Sequence, residues 1–442
     1  MIRNTLLLIF AFSATLNVSA QTTEAWTLEK CIEHAREKNL NLKINQNKYK
    51  KAVYDHRQSG WDMGPKVSGF ADGNVDFQRS ANQNYQIQTG TSYNMSYGMG
   101  ASLNLFAGFT AHNTMAAKRF YKMAVGEDTK QSEYLLEMDI TEMYSKVLYQ
   151  KSLVDIAREQ LTISMHESER IAATIETGQL ENVAQFEIDA TVSNNRLELS
   201  RAENEYRLLK LRLAQAIEYP DVEQFEIADA GFEAAAPGDN KPDVDSLYLV
   251  TSLIYPAVQQ RELEMEYYRK LLQVTKGNYA PTLSLKGGYT SGYYSTDTLA
   301  SGKKSSFSTQ FDKYGNPYLG MSLNIPIFTG RRRDFQTKKS RIDVENALFA
   351  LDNQKKLLRR ELEEAVFQLE AFYLEYTAAS QNLEFVEKSF ETYREKYRLG
   401  LINTTDFMTA QNQYAQAQAN VMRAQYSWVV QKRTLDIYCR GI

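Results

Sequence analysis

The chain has 442 residues, a formal charge of −3 and a mean hydropathy of −0.48. A charge so near zero excludes a basic nucleic-acid footprint, and 43% hydrophobic residues is the composition of a folded protein. The lack of any long apolar run excludes a bundle of membrane-spanning helices but not a β-barrel, whose alternating strands are invisible to averaged hydropathy.

Residues 1–20 read as a secretory signal peptide: Arg3 precedes the apolar run Leu6 to Phe12, and Val18-Ser19-Ala20 supplies a small-residue cleavage site. The mature chain then starts near Gln21 and opens on a helix. Residues 66–107 predict a β-hairpin. Val67, Gly69, Ala71, Gly73, Val75 and Phe77 alternate with polar residues, as do Met99, Ala101, Leu103 and Leu105, around a polar loop at 79–92. No proline lies between Pro65 and Pro220, and no glycine between Glu127 and Thr177. Here Leu136, Ile140, Met143, Val147, Val154, Ala157 and Leu161 step by threes and fours, which predicts a long helix with a coiled-coil seam. A turn at 176–184 leads to a return helix carrying Leu199, Ala202, Tyr206, Leu209, Leu213 and Ala216 on one face. An irregular linker, 219–243, follows; it holds Pro220, Pro237 and Pro242.

The pattern then starts again. Residues 281–329 predict a second hairpin, with Leu319, Met321, Leu323 and Ile325 alternating with polar positions and a loop at 296–315. Glycine is absent from Arg331 to Leu399, where Leu362, Val366, Leu369, Tyr373 and Tyr376 form another seam. A turn at 398–405 precedes the last helix. The repetition is visible in the residues: Ser102-Leu103-Asn104 matches Ser322-Leu323-Asn324, and Phe106-Ala107-Gly108 matches Phe328-Thr329-Gly330. Gly178 and Gly400 share the 222-residue offset of Phe106 and Phe328, and Pro65-Lys66-Val67-Ser68 resembles Pro281-Thr282-Leu283-Ser284. The domain reading is therefore a first repeat, 21–218, the linker, 219–243, and a second repeat, 244–442.

Four strands with one apolar and one polar face cannot close a transmembrane barrel, and an open sheet in lipid leaves its edge groups unpaired. Three copies would supply twelve strands, with the polar face lining a lumen. The helices are too charged to span lipid and belong outside it.

The order of elements resembles the TolC family of outer-membrane efflux proteins. Trp26-Thr27-Leu28-Glu29-Lys30-Cys31-Ile32 through Leu40 is similar to the family's first helix. Leu323 to Gly330 resembles its strand-to-helix junction, and Tyr397-Arg398-Leu399-Gly400 with Asp406-Phe407 and Ala410-Gln411 resembles its second tip turn. The resemblance implies a mixed α and β membrane protein of two tandem structural repeats. Four strands per chain would contribute to a trimeric twelve-stranded β-barrel, continued by a long α-helical coiled-coil barrel. It implies a homotrimer in the outer membrane of a Gram-negative bacterium, the helical tube in the periplasm. That trimer would be a passive duct working with a periplasmic adaptor protein and an inner-membrane transporter of the RND or ABC type. Neither nucleic acid nor a cofactor is implied.

In that family acidic residues of the second tip turn ring the aperture, and Asp406 matches the first of them. Three positions later stands Thr409, and Ala184 occupies the place of Asp406 in the first repeat. The other aperture candidates are Tyr397, Arg398, Asn403 and Thr404. The alternative role for Asn403, Thr404, Thr405 and Asp406 is capping the helix that starts there. Gly178 and Gly400 read as glycines ending long helices, which makes Gln179, Leu180, Leu401 and Ile402, with the two glycines, candidates for contact with the adaptor. Arg331-Arg332-Arg333 would either meet lipid head groups, line the duct, or simply snorkel. His34, His56, His112 and His166 have no partner at metal-ligand spacing, and no catalytic motif is present. Cys31 and Cys439 stand near opposite ends of the chain; pairing and two free thiols are both open. The competing reading is a secreted or periplasmic coiled-coil scaffold without channel activity, which explains the rods but not the alternating strands.

Overall fold

A computed structural model describes residues 25–81, 87–176, 182–228, 242–299 and 302–440. The expected signal peptide, Gly178, Gln179 and Leu180 therefore lie outside the described residues, as does most of the linker. In chain order the first half contains α1 (Leu28–Lys38), α2 (Leu40–Trp61), β1 (Lys66–Ala81), β2 (Ile87–Ala107), α3 (Thr110–Glu176) and α4 (Asn182–Ala216). The second contains α5 (Val244–Ile254), α6 (Pro256–Gly277), β3 (Thr282–Tyr294), the short α7 (Phe307–Lys313), β4 (Asn316–Asn324), α8 (Arg332–Arg398) and α9 (Thr404–Arg440). α5, α6 and β3 begin 216 residues after α1, α2 and β1, and α8 and α9 begin 222 after α3 and α4.

The same local chemistry sets the boundaries in both halves. Thr27 caps α1 by accepting from the Lys30 amide at 3.3 Å, and Asp243, its counterpart, caps α5 by accepting from the Ser246 amide at 3.0 Å. At the strand-to-helix junctions Gly108-Phe109 and Gly330-Arg331 all take positive φ, between 58° and 63°. Two consecutive left-handed residues redirect the chain from sheet to helix, and the non-glycine member of each pair carries strain. α3 and α8 have 67 residues each, about 100 Å at 1.5 Å per residue.

The sheet has the order β1-β2-β3-β4, antiparallel throughout. Its register aligns Gly69, Met99, Tyr289 and Pro317 across one face, and likewise Val67, Ala101, Gly287 and Leu319. That face is apolar and open: Val67 is 73% exposed, Phe77 80% and Leu319 79%. The opposite face carries Ser68, Asp72, Asn74, Ser102, Lys286 and Ser322. A one-residue irregularity at Leu105 shifts the β2–β3 register near the sheet's base.

One expected loop is shorter than the sequence pattern suggests, and the other holds a helix. β1 runs to Ala81 and β2 starts at Ile87, inside the predicted 79–92 loop. Backbone pairing continues there after the apolar alternation has ended, because ladder hydrogen bonds do not need an apolar face. The 296–315 loop contains α7, capped by Ser306. Phe307 and Phe311 stack on Tyr97 at 5.6 and 5.9 Å, and buried Gln310 bonds both the amide and the carbonyl of Tyr294. β4 ends at Asn324, short of the predicted 329; Pro326 has no N–H to give a ladder.

The chain divides into two compact units that cut across the two halves. One comprises Met1–Asn39, Asp139–Gly238 and Phe372–Val430; the other comprises Leu40–Met138, Asp239–Ala371 and Gln431–Ile442 and holds the whole sheet. In the first unit Trp26 forms a bridge to Ile227, and the Tyr144 hydroxyl donates to the Trp26 carbonyl at 3.0 Å. Ile140, Val147 and Val154 are buried along α3 as expected, but Tyr144 and Leu148 are buried beside them while Met143 is exposed. The seam is thus double, as a helix with two neighbours requires. On α8 Leu358, Leu362, Val366 and Leu369 are buried, yet Phe367, Leu374 and Phe385 are 71%, 60% and 69% exposed. Cys31 is a buried free thiol whose pKa burial pushes up to about 12, and Cys439 is free and exposed.

The two junction glycines differ in surroundings. A Cβ on Gly108 would collide with the Gly277 carbonyl and lie 2.7 Å from Ala280 Cβ, whereas one on Gly330 meets nothing within 4 Å. Gly330→Ala should cost only the left-handed penalty of about 1–2 kcal/mol. Gly108→Ala adds a steric clash and should lower the unfolding temperature in detergent by more. Equal shifts would refute the close α6–β2 approach.

Candidate functional site

The second tip turn lies in the first unit and is built from the end of α8 and the start of α9. Gly400 has φ +70°. Its amide donates to the Tyr397 carbonyl at 3.0 Å and the Leu401 amide to the Lys396 carbonyl at 2.9 Å. This is a Schellman ending, with glycine at the position that needs a left-handed backbone. Asn403 then caps α9: its side-chain oxygen accepts from the Asp406 amide at 2.8 Å. The cap is therefore Asn403, and the Asp406 carboxylate is not used for it. Asp406 is exposed in the first turn of α9, where the helix dipole favours a negative charge. Thr409 is exposed three residues on, on the same side of the helix.

The opposite side of the turn is a packed cluster of Ile171, Ile188, Phe390, Tyr397, Phe407 and Ala410. Tyr397 stacks on Phe407 at 4.5 Å with 7° between the rings, and Phe390 stacks on Tyr414 at 5.1 Å. The Arg170 guanidinium from α3 lies 5.1 Å over the Tyr397 ring and pairs with Glu167 at 2.7 Å. The Tyr397 hydroxyl is 3.3 Å from the buried Thr404 hydroxyl. Burial pushes the Tyr397 phenol up, with the Thr404 hydrogen bond and Arg170 opposing.

Of the aperture candidates, then, Asp406, Thr409, Asn403 and Arg398 are exposed. Tyr397 and Thr404 are buried and hold the turn. Arg398 pairs with Glu395 at 3.1 Å. Of the docking candidates Leu401 is 68% exposed, as is its neighbour Leu399 at 71%, while Ile402 packs against the cluster. At the start of α4, Val183 and Phe186 are 60% and 73% exposed. Sequence reading missed these two, and also Glu187, an exposed acid at the first-repeat position matching Thr409. The duplication offset was the signal that could have found it. Among the described residues no group of side chains could hold a metal, and no described helix is long and apolar enough to cross a membrane.

A duplicated helix–hairpin–helix chain with an amphipathic sheet open at both edges is the architecture to compare with known proteins. Residues 255–438 match the family model described as outer membrane efflux protein. The chain is 24% identical over 376 residues to the outer membrane efflux protein BepC of Brucella suis biovar 1 (strain 1330), covering 81% of this chain and 77% of that one. The solved structure of CusC shares the fold with a TM-score of 0.79 at 17% identity, over 94% of this chain and 92% of that one. VceC from Vibrio cholerae shares it with a TM-score of 0.76 at 13% identity, over 94% and 96%. The chain is thus similar to outer-membrane efflux proteins, in sequence over residues 255–438 and in fold over nearly its whole length.

Removing the Tyr397 ring should loosen the turn. Tyr397→Ala is expected to cost about 3–5 kcal/mol locally and to speed tryptic cleavage at Arg398. Tyr397→Phe keeps the stack, loses about 1 kcal/mol with the hydrogen bond, and should cleave nearly as slowly as the parent. Equal cleavage of all three chains would show that the stack does not hold the turn.

Proposed function

We propose that three copies of this chain close a twelve-stranded barrel and act as a passive exit duct for cargo delivered by an inner-membrane pump through a periplasmic adaptor. The carrying observation is a sheet with two open edges, β1 and β4, in a chain made of two like halves. Inside the chain β2 of the first half pairs with β3 of the second. The same junction repeated between copies pairs β4 with β1 of the next chain, and the alternation of directions permits it. The internal register, in which Tyr97 faces Ser291 and Ala101 faces Gly287, transposes by the duplication offsets to Leu319 facing Val75 and Leu323 facing Ala71. Both transposed pairs keep apolar residues on the apolar face. Trp61, the counterpart of Gly277, is 84% exposed in one chain and would be covered at that seam. The exposed phenylalanines of α8 would likewise be covered by neighbouring helices.

At the tips, exposed Leu399, Leu401, Val183 and Phe186 offer apolar contacts to an adaptor, and three copies of Asp406 would give a ring of carboxylates that favours cations. A scaffold without a channel has no use for an exposed apolar sheet face.

The register is tested by cross-linking. With Cys31 and Cys439 replaced by serine, Leu319→Cys with Val75→Cys should yield covalent dimers and trimers on mild oxidation. Bonding only by pairs one or two positions away, or none at all, would reject the seam. The tip is tested in planar bilayers. Asp406→Ala should reduce preference for potassium over chloride, while Leu401→Asp leaves the channel intact and abolishes pump-dependent efflux in cells. A selective Asp406→Ala channel would remove Asp406 from the aperture, and undiminished efflux by Leu401→Asp would remove Leu401 from the docking surface.

A further inference from the structure

A cavity of about 330 Å³ lies at the base of the sheet, where three strand ends meet two long helices. Its lining includes Thr110, Thr282, Asn324, Arg332, Arg333 and Gln336. Thr110 and Arg332 are the first residues of α3 and α8, so two helix N-termini border the same space. No carboxylate lines it. Asp334, next along the chain, is tied to Lys338 at 3.0 Å.

The strand register shows which side of the sheet the cavity opens on. Thr282 pairs with Asn324 in the same row system as Ser284 with Ser322 and Lys286 with Gly320, which is the polar face. Asn324 and Pro326 line the cavity, while the alternate residues Leu323, Ile325 and Ile327 are 62%, 58% and 95% exposed on the other side. Above the cavity on the polar face stand Lys286 and Lys66, both level with Ser102. The acids of that face, Asp72 and Asp76, are nearer the hairpin end.

We infer that this cavity is an anion-recognition site on the duct wall, taking a carboxylate, sulfate or phosphate group of an organic cargo molecule. Two arginines line the space, and a guanidinium is a planar fork of donors matched to such oxyanions; the lining threonine, asparagine and glutamine residues are neutral donors, and the helix termini add field of the same sign. In an assembled barrel three such sites and the lysines above them form a basic belt. The inference rests on the reading that the polar face lines a duct, and it adds a class of cargo to that reading.

The test uses the full-length protein in planar bilayers with a potassium chloride gradient and citrate as the probe. In the parent channel citrate should block the current. Arg332→Gln with Arg333→Gln should raise the half-blocking concentration by about tenfold or more, the scale of a lost charge-assisted contact, and should lower chloride permeability relative to potassium. Arg332→Lys with Arg333→Lys keeps the charge but not the forks; it should preserve ion selectivity while weakening citrate block. Channels that conduct but show the same selectivity and block in the glutamine variant would overturn the inference, as they would if a neighbouring chain's carboxylate neutralised the arginines. A parent protein that forms no channels would overturn the duct reading itself.

Discussion

An unpaired strand edge in hydrocarbon is the constraint on which the rest depends. Each backbone amide and carbonyl left without a partner in lipid costs several kcal/mol, and this sheet has two such edges, one on β1 and one on β4. β4 alone has nine residues, so an isolated chain cannot sit in a membrane. Closure with other copies is the way the sheet satisfies both edges at once, and it is also what turns an amphipathic sheet into a wall with an outside and an inside. The exposed apolar residues of α8 fit the same proposed assembly: a helix seam that is half filled in one chain would be filled by the next.

Duplication makes that closure simple to encode. If one chain already contains the β2–β3 junction, the junction between chains needs no new geometry, only a repeat of it. The halves differ where the junctions differ. Gly277 allows α6 to approach the Gly108 turn closely, whereas Trp61 stands at the corresponding place on the outer edge. A large ring there cannot approach as a glycine does, so in the proposed assembly the seam between chains would be wider at this level than the seam within one. The tips differ as well. The acid on the first turn of α9 is Asp406; its counterpart on α4 is Ala184, and α4 carries its own exposed acid one turn later, at Glu187.

The strands were legible in the sequence because their two faces meet different solvents, and period-two alternation records that directly. Where the ladder continues without such a contrast, at 78–81 and 87–90, the alternation is lost and the ends were misplaced. The long helices were legible from the distribution of proline and glycine, and the left-handed turn at Gly400 from the glycine itself. The tip cluster was not. Tyr397 and Thr404 look like polar turn residues, and their burial depends on Arg170 and Glu167, more than 220 positions earlier. No local pattern announces a cation over a ring supplied from so far away. Ile402 is a similar case: beside exposed Leu401 it reads as surface, and it is partly buried against Phe407's cluster. α7 was hidden because seven residues are too few for helical periodicity, and its anchor is an aromatic stack on Tyr97, from the other hairpin.

A duct that only passes cargo still has to avoid trapping it. Binding strong enough to draw a molecule in must be matched by further sites weak enough to let it go. On the polar face of this sheet the charges are ordered: Arg332, Arg333, Lys286 and Lys66 toward the helix end, Asp72 and Asp76 toward the hairpin. Asp76 accepts from Asn94 at 2.7 Å, which holds that carboxylate in place. An anion that reaches the basic end is attracted there and meets repulsion further on, so its residence is longest at the base and shortest at the exit. A cation meets the reverse order. The two ends therefore act on cargo in opposite senses, and such a gradient fixes an order of contacts without any moving part.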